Sequence, residues 1–197
     1  MNHLLKRSVW RSILWLVLCL VGVAASAETQ PTSSPARPVS ERDGSHDFDF
    51  LIGDWKAHVR VLRDRLNRSN DWVEYEGISN HKKLLDSNAN FEEFDAYSEQ
   101  LKKRNKGQTL RLYNPATHQW SIYLVDLDKG TLDLPPVIGE FADKRGEFYN
   151  QDNYKGRAIY VRYVWLNISP KSARMEQSWS ADGGKTWEVN WICELSR

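Results

Sequence analysis

The sequence predicts an all-β domain, an antiparallel up-and-down β-barrel of about ten strands entered through a short turn of helix. Three observations carry this expectation. Apolar and polar residues alternate with a period of two over most of the chain, as in half-buried strands. Turn residues interrupt that alternation at short intervals, and no amphipathic helical stretch runs beyond a turn or two. Aromatics make up 12% of the chain, with 9 Trp, which suits strands and flat binding surfaces better than a helical bundle. Regular spacing of this kind fits a sandwich or an up-and-down barrel, and closure into a barrel is favoured because it removes exposed sheet edges.

The N-terminal residues stand apart. Met1 to Arg11 is basic, Ile13 to Ala25 is apolar, and Ala25-Ser26-Ala27 is a small-x-small cleavage signal. That is the form of a secretory signal peptide over 1–27, so the protein is expected to be exported, periplasmic or secreted. The apolar run is too short to span a bilayer comfortably, so no stable membrane span is expected after cleavage. Residues 28–44, with Pro31, Pro35 and Pro38 among serines, read as a disordered tether. The barrel domain is expected over 45–197.

Asp47 to Trp55 opens the domain as an apolar turn (Phe48, Phe50, Leu51, Ile52) leading through Gly53 into the first strand. Glycine there suits a backbone conformation that other residues resist. Strands follow at 55–62, 72–79, 88–97, 109–113, 120–126, 137–141, 146–149, 157–167, 173–180 and 187–195. Lys102 to Gly107 reads as a basic, solvated hairpin loop. Asn114-Pro115-Ala116-Thr117 and Ser169-Pro170-Lys171-Ser172 are turns. Ser180-x-Asp182-x-Gly184-x-Thr186-Trp187 occurs once and reads as a hairpin staple, with Asp182 bonding the turn backbone and Gly183 and Gly184 supplying positive φ.

Charge and cysteine content narrow the function. The net charge is +1, and losing Lys6, Arg7 and Arg11 with the signal leaves acids in slight excess. Such a domain lacks the concentrated basic face that nucleic acid requires. With Cys19 in the signal, Cys193 has no intramolecular partner and reads as a small core residue. No Gly-x-Ser-x-Gly, Gly-rich phosphate loop, His-x-x-x-His or cysteine pair is present. No cofactor and no metal site is expected.

The Gly53-Asp54-Trp55 start followed by meandering strands resembles the lipocalin and calycin superfamily. In those barrels the Trp plugs one end and packs against an Arg from a late strand, for which Arg197 is the nearest counterpart. The fuller pattern is His46 to Trp55, Leu110 to Thr117, Trp120 to Tyr123 and Ser180 to Glu188. It resembles a family of uncharacterised, mostly bacterial exported domains with a calycin-like barrel. The resemblance covers about 45–197, implies the fold, and brings no catalytic residues with it.

The expected function is binding of a small apolar or amphipathic ligand in the barrel lumen, through Tyr123, Arg162, Trp165, Glu176, Trp179, Asn190 and Trp191. These are aromatics with a few polar groups on late strands, the usual make-up of a ligand pocket. Periodicity alone leaves open which face turns inward, because a one-residue slip exchanges the faces. Two alternatives stand beside this reading. One is a barrel isomerase or hydrolase using Glu176 or Glu188 as a buried acid/base. The other is a structural or interaction domain of the cell envelope.

Overall fold

The structure, a computed structural model, describes residues 42–85 and 88–197. The expected signal peptide, Cys19 and nearly all of the tether lie outside the described residues.

The chain enters through a single 3-10 turn, Asp49–Leu51. It then passes through Gly53, whose φ of 113° favours glycine, into β1 (Gly53–Leu62). β2 (Trp72–Lys83), β3 (Ala89–Ser98), β4 (Lys103–Asn114) and β5 (Gln119–Asp126) follow as successive antiparallel neighbours. A two-residue strand, β6 (Thr131–Leu132), pairs only with the end of β5. β7 (Val137–Ala142), β8 (Arg145–Tyr154), β9 (Arg157–Leu166), β10 (Ser172–Ser180) and β11 (Glu188–Ser196) complete the meander. β5 pairs with β7, and β11 returns to β1, so ten strands close a ring with β6 as a side ribbon. Every connection is local except that last pairing, which is why alternation and turns in the sequence suffice to generate the ring.

Lys102 to Gly107 is not a loop. β4 begins at Lys103 and pairs through the basic run, with Ser98 opposite Lys103 and Asp95 opposite Lys106. Its charges point to solvent while the backbone makes the ladder, and Arg104 meets Asp95 across the strands at 3.0 Å. Cross-strand ion pairing of this kind lets a charged run remain a strand.

One end of the barrel is plugged by the entry segment. The fully buried Phe48 ring meets Trp120, Phe141 and Trp165 edge-on at 5.1, 4.9 and 5.9 Å, and stacks on Phe148 at 5.5 Å. Burying each such aromatic is worth about 1.5–3 kcal/mol. Trp55 Nε1 donates to the Leu51 carbonyl at 2.6 Å, Trp120 Nε1 to the Gly44 carbonyl at 2.9 Å, and the Gly44 N–H to the Tyr113 hydroxyl at 3.0 Å. These bonds satisfy polar groups that burial would otherwise leave unpaired. At the other end, Leu66 of the β1–β2 connection packs on the core, and its N–H donates to Glu188 at 2.5 Å.

The Ser180–Trp187 turn forms as expected. Asp182 accepts from the Ser180 hydroxyl at 2.7 Å and from the Lys185 and Thr186 N–H groups, while Gly183 and Gly184 take φ of 76° and 85°. These bonds hold the Asp182 carboxyl well below the usual carboxylate range, those from Thr186 most of all.

Candidate functional site: the barrel lumen

Above the aromatic plug the side chains do not fill the barrel. Two adjoining cavities, of about 280 and about 300 Å³, share Ile122, Leu124, Asp133, Tyr163 and Gln177. The inner one is walled by Phe94, Trp165, Met175, Trp191, Cys193 and Leu195, with Arg111 and Glu92 on its floor. The outer one is bordered by Arg65, Asn150, Asp152, Trp179 and the Leu134-Pro135 corner. A largely apolar wall with a few polar groups is the composition of a small-molecule pocket.

The floor is a hydrogen-bonded set drawn from β2, β3 and β4. Arg111 donates through Nη2 to Glu92 at 2.5 Å and through Nη1 to Asn90 Oδ1 at 3.1 Å. Ser79 Oγ lies 2.7 Å from Glu92 Oε1 and 2.8 Å from His81 Nε2, while His81 Nδ1 lies 3.3 Å from Arg111 Nη1. One proton arrangement satisfies all of these contacts. Arg111 donates to Nδ1, His81 donates from Nε2 to Ser79, and Ser79 donates to the carboxylate. The imidazole is therefore neutral. Burial lowers its pKa to about 4, with Arg111 adding to the effect and Glu92 only partly opposing it. Burial alone would raise the Glu92 carboxyl, but the Arg111 charge and the hydrogen bonds from Ser79 and Arg111 outweigh it and hold the group at about 2.

This set contains a serine, a histidine and a carboxylate, but it is wired against nucleophilic catalysis. The carboxylate takes the serine proton itself, and the histidine's other nitrogen faces a guanidinium rather than an orienting acid. Glu92 is held ionised, the opposite of the raised carboxyl that acid catalysis needs. Glu176 is bound to Arg174 at 2.6 Å, and Glu188 accepts from the Leu66 and Arg68 N–H groups; neither lines the two cavities.

Several polar groups around the lumen lack partners. Arg111 Nε and Trp165 Nε1 are buried without an acceptor among the described residues. Tyr163 is 7% exposed and lines both cavities, and its hydroxyl has no hydrogen-bond partner among the described residues. Burial, with Asp133 adding to it, raises the Tyr163 pKa, so the group stays a neutral O–H donor.

Of the residues expected from sequence, Trp165 and Trp191 line the inner cavity and Trp179 the outer one. Tyr123, Arg162, Glu176 and Asn190 line neither. Tyr123 alternates out of phase with the buried Trp120 and Ile122. Arg162 lies over the Trp187 ring at 4.5 Å, and Glu176 pairs with Arg174. Asn190 is fully buried at a register shift: Gln177 faces Trp191 but Ser178 faces Val189, leaving Asn190 as the extra residue, bonded by Gln177 Nε2 at 2.8 Å. The bulge reverses the alternation of β11, so Trp187 ends up beside Arg162 and Tyr149 rather than in line with Trp191. Sequence reasoning missed Arg111, Tyr163, Gln177 and Arg65. For Arg111 and Tyr163 the available signal was a polar or hydroxyl-bearing residue in phase with apolar neighbours, Tyr113 for one and Val161 and Trp165 for the other.

No family model matches the chain, and no curated protein matches it in sequence. Among solved structures, the S-type phycobiliprotein lyase of Guillardia theta is similar with a TM-score of 0.53 at 12% identity, covering 80% of this chain and 93% of that one. EF1p2_mFAP2b bound to DFHBI is similar at 0.42 and 11%, over 78% and 98% of the two chains. A de novo designed fluorescence-activating β-barrel is similar at 0.40 and 13%, over 79% and 98%. At such identities the likeness to the lyase is one of fold, and the fold is a closed ten-stranded antiparallel barrel of the calycin-like, lipocalin-like kind.

Proposed function

We propose that the domain binds one small apolar or amphipathic molecule in its lumen. The observation that carries this is the pair of adjoining, aromatic-walled cavities above the Phe48 plug. A barrel packed solid would have favoured an interaction domain. Trp165, Trp179 and Trp191 would enclose the ligand, while Tyr163, Gln177, Arg65 and Arg111 would supply polar contacts. The barrel fold shared with the S-type phycobiliprotein lyase of Guillardia theta agrees with this reading. The signal-like residues 1–27 support an exported location, and the motifs from His46 to Glu188 support membership of the exported calycin-like family named above.

Native mass spectrometry of the chain from Glu28 onward, purified from the exported fraction of its cells, tests the reading. The expected result is a reproducible extra mass that disappears on denaturation and is absent from a Leu124→Trp variant, whose indole would occupy the junction of the cavities. A bare wild-type mass in every preparation, or an adduct that Leu124→Trp leaves untouched, would overturn lumen binding. Recovery of the intact 1–197 chain in the cytosolic fraction would overturn export.

A further inference from the structure

The two guanidinium groups bordering the lumen differ in one respect. Arg111 on the floor is compensated by Glu92 at 2.5 Å. Arg65 at the outer cavity has no ion pair among the described residues. Its Nε donates to the Leu62 carbonyl at 3.3 Å, its guanidinium carbon lies 4.6 Å from the centre of the Trp179 ring, and its two terminal nitrogens carry no hydrogen bond among the described residues. The Trp179 contact and the Nε bond fix the direction of the fork, which leaves the terminal N–H groups as a preset donor pair.

Tyr163 stands beside it on the cavity wall. It is more than nine-tenths buried and carries the unpartnered hydroxyl described above. The terminal N–H pair of a flat guanidinium and a phenolic O–H on one wall, neither meeting an acceptor among the described residues, match the oxygens of an acid group. Burial also lowers the Arg65 pKa, the mark of a cation short of its hydration. Asp133 and Asp152 border the same cavity, but both are exposed and neither is ion-paired with Arg65. Both charges act on Tyr163 and help to keep its O–H protonated. They disfavour a second acid group at the rim, and Glu188, the carboxylate that does act on Arg65, is engaged by the Leu66 and Arg68 N–H groups and forms no ion pair with it among the described residues.

We propose that the lumen selects an aromatic or otherwise apolar molecule carrying a single acid group, with its apolar body among Trp165, Trp191 and Phe94 and its acid group at Arg65 and the Tyr163 hydroxyl. This rests on the lumen-binding reading and adds the ligand's chemical class and its orientation, apolar end inward. The floor suits that direction, because Arg111 is already neutralised there and Glu92 would repel an anion.

Two fluorescent probes that share one ring system test the class. 8-Anilinonaphthalene-1-sulfonate carries an acid group, and N-phenyl-1-naphthylamine is the same skeleton without it. Each is titrated into the folded domain and into Arg65→Gln, Arg65→Lys and Leu124→Trp, with a thermal melt confirming that each variant is folded. The sulfonate should bind about tenfold more tightly than the neutral probe, since a charge-assisted contact contributes a little over 1 kcal/mol. Arg65→Gln should remove that advantage and leave the neutral probe unaffected, while Arg65→Lys should retain part of it. Equal affinities for the two probes, or a sulfonate affinity unchanged in Arg65→Gln, would overturn the acid-group inference while lumen binding stood. Failure of both probes to bind, or binding of both that Leu124→Trp does not weaken, would overturn the lumen reading itself.

Discussion

The Arg197 guanidinium carbon lies 4.0 Å from the centre of the Trp55 ring, joining the last residue of the chain to the first strand. Arg197 also donates to the carbonyls of Ile52 at 3.0 Å, Phe50 at 3.3 Å and Pro170 at 3.0 Å. One side chain thus ties the entry turn, β1 and the β9–β10 turn together at the plugged end. Arg197→Ala should lower the unfolding free energy by about 1–2 kcal/mol, read as a lower urea midpoint at unchanged slope. Arg197→Lys should recover less than half of the loss, because one ammonium cannot stack flat on Trp55 and reach three carbonyls.

Stability should fall with acid in two steps. His81 has a pKa of about 4 in the fold against 6.5 for the free group, so between those values the unfolded chain binds a proton that the folded one does not. Glu92, at about 2 against 4.5, does the same lower down. Each contribution is complete above the unfolded value and is lost as pH falls toward the folded one. Unfolding midpoints should therefore begin to drop near pH 6.5 and fall more steeply below pH 4.5. His81→Gln should flatten the part between 6.5 and 4. A wild-type midpoint that stays level from pH 7 to 4 would contradict the neutral, buried imidazole.

The Glu92–Arg111 pair should behave as a buried ion pair. Glu92→Gln or Arg111→Met alone should cost about 3–5 kcal/mol, since each leaves an uncompensated buried charge. The double variant should cost less than the two singles together. A double-mutant cycle in guanidinium chloride measures the difference, and strict additivity would mean that the two residues do not act on each other.

Gly139 marks a close approach of β7 to β8. A Cβ there would lie 1.9 Å from the Glu147 carbonyl oxygen and 2.7 Å from the Phe148 Cα, both backbone atoms that cannot swing away. Gly139→Ala should destabilise the barrel by about 2 kcal/mol or more, seen as a lower melting temperature.

Cys193 should be inert. It is 7% exposed on the lumen wall, and burial pushes its thiol well above the usual range. Native protein should react with a maleimide far more slowly than protein in denaturant. Equal rates would mean that the lumen opens freely to solvent.

Features that depend on neighbours in sequence were legible before folding. Alternation marked the strands, Gly and Pro marked the turns, and the Ser180–Trp187 staple closes on itself within one hairpin. The sequence by itself determined about ten antiparallel strands joined by short turns, and an apolar turn from Phe48 to Ile52 leading into the first of them. It could not determine which face of β11 looks inward, because the extra residue Asn190 acquires meaning only against Gln177 and Ser178 of the partner strand. The same holds for the floor, where Ser79, His81, Glu92 and Arg111 come from three strands and meet only when the sheet curls. Basic residues from Lys103 to Lys106 look like loop in isolation and become strand because Asp95 and Tyr97 lie opposite. Whether the interior is filled or hollow is a sum over every inward side chain at once. Only the closed tertiary structure decided it, and it left the space between Arg111 and Arg65 open.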